Sequence, residues 1–264
     1  MNFSPPPSPT DETPGAPPPS PPVPPADQPP RVTLRLPARR LWLVYTIIAL
    51  TVGVYLLQTL SQLTLGGVDY PALLGAKFND LIRQGQYWRL FTPMLLHGSI
   101  IHVGFNMYAL FIIGRGLERY YGSRRLWLLY LLAGFAGNVV SFLFSLKPSL
   151  GASTAVFGLV AAQGVFVYRN RFLFGANARP LLINIATIVA INLFLGLSPG
   201  IDNWGHLGGL LGGLAFSWFA GPVFTIEGVP PVMHLEDRRR DIQAFWVALG
   251  AGLILSLIVW LSLR

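Results

Sequence analysis

Cysteine is absent from this 264-residue chain, and charged residues make up only 11% of it. The absence of cysteine excludes disulfide bonds, thiol catalysis and cysteine-ligated metal sites. A soluble domain carries about 25% charged residues, so the shortage of charge indicates that much of the surface faces lipid. The overall composition also indicates a lipid-facing surface, because 52% of the residues are hydrophobic and the mean hydropathy is +0.52.

Most of the 23 prolines lie in residues 1–40, in runs such as Pro17-Pro18-Pro19. Proline donates no backbone hydrogen bond, and this segment holds almost no apolar residues to bury. We therefore predict that residues 1–40 form a disordered, proline-rich tail. A passive tail is the favoured interpretation, and a partner-binding PxxP segment is the alternative.

Seven apolar stretches follow the tail, and each approaches the ~20 residues needed to cross a bilayer. They span residues 41–62, 99–117, 126–146, 152–168, 180–197, 203–221 and 244–263. Their continuous Leu-, Ala- and Gly-rich composition favours helices over the weak alternation of a barrel. The sequence predicts an all-α polytopic membrane protein with a six-span core over 41–221, a cytoplasmic loop over 222–243 and a seventh transmembrane helix over 244–264.

Arginine is concentrated in alternate connections, which orients the predicted spans. These arginines are Arg31, Arg35, Arg39, Arg40, Arg115, Arg119, Arg124, Arg125, Arg169, Arg171, Arg179, Arg238, Arg239 and Arg240. The positive-inside rule then places the N-terminus in the cytoplasm, and the fourth and sixth spans begin at the outer face. The basic residues are interpreted as determinants of topology, so no nucleic-acid partner is expected despite a net charge of +8.

Two polar residues near the starts of these two spans are candidates for chemistry, because polar groups inside a bilayer are costly. Ser153 follows Gly151 at the start of the fourth span, and His206 lies about one turn into the sixth. Alone, the serine is interpreted as a helix N-cap, and the histidine can be a base, a ligand or a packed polar residue. Together they lie at matching depth below the same face, and a serine becomes a nucleophile when a base takes its proton.

Small residues on the fourth and sixth spans would allow these two helices to pack closely. Gly205, Gly209 and Gly213 repeat every four residues on the sixth span, and Ala155 and Gly158 lie on the fourth. Such faces allow close backbone contact in lipid, and packing alone is the alternative interpretation for most of them. No carboxylate obviously orients His206, because Asp202 is expected to cap the helix and Glu118 to be structural. The sequence therefore predicts a dyad without a third acid.

His102 and Asn106 are four residues apart on the second span and share a helix face. Both side chains can donate hydrogen bonds, which suits an oxyanion hole better than a metal site. His97 precedes the span and is expected to be a loop residue. A zinc site stays the weaker alternative, and we expect no metal or cofactor.

Trp88 and Arg89 lie in the long outer connection before the second span. Tryptophan and arginine together are typical of the membrane interface, where the ring and a snorkelling cation both find partners. An anchoring role is therefore expected for this pair.

These motifs, taken in order, resemble those of the rhomboid family of intramembrane serine proteases. The resemblance covers roughly residues 41–221, and a seventh span fits the subclass that adds one helix to the six-span core. It rests on Trp88-Arg89, His102 with Asn106, Glu118 and Gly122, Gly151-Ala152-Ser153, and His206 with Gly209 and Gly213.

The resemblance implies a role for each residue that matches the family's motif. Ser153 resembles the nucleophile and His206 the general base. His102, Asn106 and the Ser153 backbone N–H resemble the oxyanion hole, and Phe157 matches an aromatic that packs on the catalytic histidine. The implied reaction is peptide-bond hydrolysis through an acyl-enzyme.

One residue departs from the pattern, since many members have glycine after the serine and this chain has Thr154. The added bulk beside the nucleophile is expected to affect the local turn and the rate.

The implied partners are transmembrane protein substrates and the lipid bilayer, with the site opening to the outer face of the plasma membrane. Two other classes of function stay open at this point. An inactive relative would hold single-span clients without cutting them, since fold does not fix function. A transporter would use intramembrane His and Asn along a path, although the sequence shows no inverted repeat.

Overall fold

The computed structural model of the protein describes the backbone of residues 33–35, and residues 40–229 and 232–264 in full. The tail predicted over 1–40 therefore lies outside the described residues, apart from Thr33–Arg35 and Arg40.

Helices account for most of the described chain. The long ones are α1 (Leu43–Thr64), α4 (Ile100–Ala109) continued through a π-helical turn (Leu110–Gly114) into α5 (Arg115–Tyr121), α6 (Ser123–Phe144), α7 (Ser153–Arg169), α8 (Ala178–Leu195), α9 (Asn203–Ala220) and α10 (Asp241–Ser262). The connection after α1 holds α2 (Tyr70–Gly75), α3 (Asn79–Arg83) and 3-10 turns at Tyr87–Leu90 and Thr92–Leu95, and two more 3-10 turns (Arg171–Leu173 and Gly175–Asn177) precede α8.

All seven predicted apolar stretches are helical, which confirms an all-α, multi-pass membrane protein. Within residues 40–229 and 232–264, five helices are long and apolar enough to cross a bilayer: Leu43–Thr64, Ile100–Tyr121, Ser123–Phe144, Gly175–Leu195 and Asp241–Ser262. The other two are α7, with 17 residues, and α9, with 18. Both are short and carry glycine and polar residues, because they pack at the centre of the bundle. The count of six spans plus one stays a prediction.

Helices α6, α7 and α9 pack against one another at the centre of the fold. A Cβ atom added to Gly209 would lie 2.0 Å from the Thr154 carbonyl oxygen, and one added to Gly213 would lie 2.2 Å from the Gly158 carbonyl oxygen. The predicted small-residue faces of α7 and α9 therefore meet, and the backbones approach as closely as glycine allows.

Glu118 is fully buried and binds the beginning of α1. Its carboxylate accepts hydrogen bonds from the backbone N–H groups of Trp42, Leu43 and Val44 at 2.8–3.2 Å, and from the Ser123 hydroxyl at 2.7 Å. A carboxylate at a helix N-terminus satisfies N–H groups that have no partner within the helix. This confirms that Glu118 is structural.

Arg89 does not snorkel to an interface, which corrects the anchoring role expected for it. Its side chain is 3% exposed, and its guanidinium donates to the carbonyls of Leu73 and Ala76 at 2.8 and 2.7 Å. The neighbouring Trp88 is half exposed and donates to the Leu74 carbonyl at 3.0 Å. A guanidinium with several donors can bind the carbonyls at the C-terminal end of α2, which lack partners within the helix, so it is held inside the connection.

The segment predicted as a loop over 222–243 contains two strands. Strands β1 (Thr33–Arg35), β2 (Phe224–Val229) and β3 (Val232–Asp237) form a sheet in the order β1-β3-β2, with β1 parallel and β2 antiparallel to β3. Arg125, at the start of α6, binds the carboxylates of Asp237 and Asp241 at 2.6 Å. This buried arginine therefore joins the sheet and α10 to the bundle, and β1 lies within the segment predicted to be disordered.

Candidate active site

Ser153 and His206 are hydrogen-bonded across the interface of α7 and α9. The Ser153 Oγ lies 2.9 Å from the His206 Nε2, although the two residues are 53 positions apart. Ser153 is the first residue of α7; Ala152 is in the N-cap position, and no side chain caps the helix. The simple N-cap interpretation of Ser153 is therefore wrong, because its hydroxyl is directed to the histidine.

The His206 ring is held by packing on one face. It stacks on Phe157, with ring centroids 4.3 Å apart and planes 15° apart. The His206 Nδ1 has no hydrogen-bond partner among the described residues. Asp202 instead caps α9, since its carboxylate accepts from the Gly205 N–H at 3.0 Å. Within the described chain, the imidazole is thus placed by the helix and the Phe157 ring.

The turn before Ser153 requires glycine. Gly151 has φ of +132°, and a Cβ atom there would lie 2.8 Å from both Cε1 and Nε2 of His102. Its N–H donates to the Pro93 carbonyl at 2.9 Å. Both the backbone conformation and the close approach of His102 exclude a side chain at this position.

His97 supports the same turn, and sequence reasoning missed this role. The residue is 1% exposed, and its Nε2 accepts a hydrogen bond from the Ala152 N–H at 3.3 Å. Its ring lies edge-on to His102 with centroids 4.9 Å apart. Burial lowers the pKa of His97 to about 4, the charge of His102 lowers it further and the Leu95 carbonyl opposes the shift. His97 is therefore a neutral acceptor at physiological pH.

His102 and Asn106 line the same cavity as Ser153 and His206. This cavity has a volume of about 920 Å³ and also includes Phe157. Asn106 is buried, and its Nδ2 donates to the His102 carbonyl at 3.0 Å. An amide nitrogen carries two hydrogens, so one remains for a group in the cavity. The structure thus brings together the serine, the histidine and both predicted donors.

The unusual Thr154 is accommodated by glycines on neighbouring helices. It is 4% exposed, and a Cβ atom on Gly137 would lie 2.6 Å from the Thr154 Cβ. A Cβ atom on Gly205 would lie 3.1 Å from the Thr154 Cγ2. The Thr154 side chain therefore occupies space that the glycines on α6 and α9 leave free.

Arg89 contacts residues in the wall of the cavity. Arg89 binds the carbonyls of Leu73 and Ala76, and both of these residues line the cavity. The Ala76 carbonyl is bound at 2.7 Å. Arg89 therefore helps to hold this part of the cavity wall in place. Within the described residues, no group of three or more His, Cys, Asp or Glu could hold a metal ion.

The fold and the site together define a multi-pass membrane protein with a serine–histidine pair open to an internal cavity. A family model described as the rhomboid domain matches residues 84–223, just over half of the chain. The chain belongs to the rhomboid family.

Individual relatives agree with this assignment. The chain is 44% identical to the rhomboid protease GluP of Bacillus subtilis (strain 168) over 213 residues, which cover 80% of this chain and 39% of that protein. It is 34% identical to the chloroplastic RHOMBOID-like protein 9 of Arabidopsis thaliana over 210 residues, 75% of this chain and 48% of the relative. RHOMBOID-like protein 2 of the same plant is 37% identical over 224 residues, 80% of this chain and 70% of the relative. The chain thus spans less than half the length of the first two relatives.

Proposed function

We propose that this protein is an intramembrane serine protease in which Ser153 is the nucleophile and His206 is the general base. The observation that carries this proposal is the 2.9 Å contact between the Ser153 Oγ and the His206 Nε2. A serine hydroxyl is a weak nucleophile until a neighbouring base accepts its proton, and this contact supplies that base. Membership of a family with a protease among its relatives supports the same activity.

The proposed reaction has two halves that share the histidine. As the Ser153 Oγ bonds to the substrate carbonyl carbon, His206 Nε2 takes the hydroxyl proton. The imidazolium then gives that proton to the leaving amine, the peptide C–N bond breaks and an acyl-enzyme remains. Water attacks the ester with His206 again as base, which releases the new carboxyl end and restores Ser153.

The negative oxygen that forms at each attack needs donors within reach. We assign this role to the Ser153 backbone N–H, the His102 ring and the Asn106 amide, which face the cavity beside the nucleophile. The first N–H groups of α7 have no partners within the helix, and the helix dipole favours negative charge there. Preorganised donors of this kind stabilise a transition state strongly because they need little rearrangement.

The proposed substrates are transmembrane segments of other membrane proteins. Residues that weaken a helix would lower the cost of exposing a peptide bond to the site. The proposal includes an N-terminus in the cytoplasm, a site open to the outer face of the plasma membrane and a reaction without a cofactor. The segment 41–221 is the proposed catalytic core, with 244–264 as an added transmembrane helix.

Labelling with a fluorophosphonate tests the nucleophile directly, because the reagent reacts with activated serines. The wild-type protein should be labelled, and Ser153→Ala should not. Ser198→Ala is the matched control, since Ser198 is an exposed serine between α8 and α9 and should leave labelling unchanged. Equal labelling of wild type and Ser153→Ala would sink the assignment.

A further inference from the structure

A fully buried lysine lies close to the active site and has no part in the proposed chemistry. Lys77, between α2 and α3, has 0% of its side chain exposed. Its Nζ donates to the Ser141 Oγ at 2.8 Å, the Ser141 carbonyl at 3.2 Å and the Ser145 carbonyl at 3.0 Å. Burying an ammonium is costly unless its hydrogens are bound and a counter-charge is near. The three hydrogen bonds satisfy all three of its donors.

The counter-charge is supplied through the hydroxyl of Ser141. That hydroxyl accepts from Lys77 and donates to the Asp202 carboxylate Oδ2 in a short hydrogen bond. Ser141 is itself fully buried in α6. Lys77 and Asp202 are therefore opposite charges that are linked through one buried hydroxyl, and the link joins three separate segments of the chain.

Asp202 carries this link to the catalytic helix. Its other carboxylate oxygen, Oδ1, accepts from the Gly205 N–H at 3.0 Å, and its carbonyl accepts from the His206 N–H at 3.1 Å. Both contacts lie in the first turn of α9, which places His206. Since the His206 Nδ1 has no partner among the described residues, the position of this turn decides where the Nε2 lies.

We propose that Lys77, Ser141 and Asp202 form a positioning network that holds the first turn of α9 so that His206 stays within hydrogen-bond reach of Ser153. The inference rests on the proposed function of the dyad and names residues that support it. None of the three touches the reacting atoms in the proposed mechanism. The network acts through the His206 backbone, whereas a triad acid would act through the ring.

The chemistry of the network predicts a distinctive pattern of mutational effects. Removal of one charge leaves the other buried without its partner, whereas removal of both leaves no uncompensated charge. Lys77→Met and Asp202→Asn should each reduce the rate of fluorophosphonate labelling and kcat by about tenfold, because small displacements of a catalytic group are costly. The KM should stay within about twofold, since Lys77 and Ser141 lie outside the cavity lining and Asp202 acts through the start of α9.

The double variant separates this network from general destabilisation. Lys77→Met with Asp202→Asn should label no more slowly than either single variant, which is the signature of coupled residues. The asparagine side-chain oxygen can still accept a hydrogen bond from the Gly205 N–H. Asp202→Asn therefore removes the charge but retains the N-cap of α9. Lys147→Met is the matched control, because Lys147 is exposed in the connection between α6 and α7 and should leave the rate unchanged.

The experiment uses the full chain in lipid vesicles, with labelling rate, kcat and KM measured on the folded fraction. Should Lys77→Met fail to fold, Ser141→Ala tests the same link with both charges retained, and the same tenfold loss is expected. Single variants that label at the wild-type rate, or effects that multiply in the double variant, would overturn the network. The two proposals fail in different ways. If the wild-type protein labels no better than Ser153→Ala, the proposed dyad is wrong. If the wild-type protein and the network variants all label at the same normal rate, only the network is wrong.

Discussion

The Phe157 ring lies nearly parallel to the His206 imidazole, with their centroids 4.3 Å apart. Phe157 is one turn along α7 from Ser153, so one helix supplies both the hydroxyl that His206 contacts and the ring on which it packs. A histidine without a partner on Nδ1 among the described residues depends on such packing for its orientation.

Phe157→Leu should therefore slow fluorophosphonate labelling while the protein stays folded. Stacked aromatic pairs contribute about 0.5–1.5 kcal/mol beyond area burial, which corresponds to a loss of roughly two- to tenfold. Phe219→Leu provides the comparison, because Phe219 lies exposed on α9 and should leave the rate unchanged. A Phe157→Leu rate equal to that of wild type would show that packing does not orient the base.

Loss of either proposed oxyanion donor should reduce kcat with little change in KM. His102→Ala and Asn106→Ala are each expected to lower kcat by about 10²-fold, the usual effect of removing one oxyanion donor. Steady-state cleavage of a transmembrane reporter measures both constants. Tyr108→Phe on the same helix is exposed and should behave as wild type. A rise in KM without a fall in kcat would instead assign these residues to substrate binding.

The buried His97 should make the fold sensitive to acid. Its folded-state pKa is lowered to about 4 from an ordinary value of 6.5. Between these values the unfolded chain binds a proton that the folded chain does not, so the free energy of unfolding falls as pH falls through this window. Unfolding temperature against pH measures the effect. His97→Asn should make the curve shallower over the window, whereas His234→Asn, at an exposed position in β3, should leave its slope unchanged.

The contact between α7 and α9 should not tolerate a methyl group at Gly209. The added Cβ would lie 2.0 Å from a backbone oxygen that cannot rotate away. Gly209→Ala should lower the free energy of unfolding by about 1–3 kcal/mol, as overpacked cores do, and should also reduce labelling. Gly250→Ala in α10 is the control, because nothing lies within 4 Å of its added Cβ. Equal unfolding temperatures for the two variants would contradict the packing described here.

Much of the helical architecture is predictable from the sequence because lipid leaves few options for the backbone. Apolar runs must be helices or barrels, so each predicted stretch is found as a helix. The pairing of Ser153 with His206 follows from matching depth and from glycines such as Gly209. Both features can be recognised within one segment of the sequence, either as a continuous apolar run or as glycines that repeat along one helix.

The remaining features depend on contacts between distant segments. His97 is interpreted as a loop histidine until Ala152 is placed against it, and nothing in the sequence places Lys77 against Ser141. Arg89 was expected at the membrane interface, yet the free carbonyls of its own connection bind it instead. The strands β2 and β3 have only six residues each, and they depend on pairing with each other.

Cleavage of transmembrane reporters in proteoliposomes tests whether Ser153 and His206 together cut peptide bonds of membrane-spanning segments. The panel should vary the helix-breaking residues near the outer end of the reporter segment, and each reporter should be incubated with wild type, Ser153→Ala and His206→Ala. Wild type should cut at least the reporters with weakened helices, and neither variant should cut any. Cleavage by Ser153→Ala at the wild-type rate, or none by folded wild-type protein that still retains the reporters, would contradict this prediction.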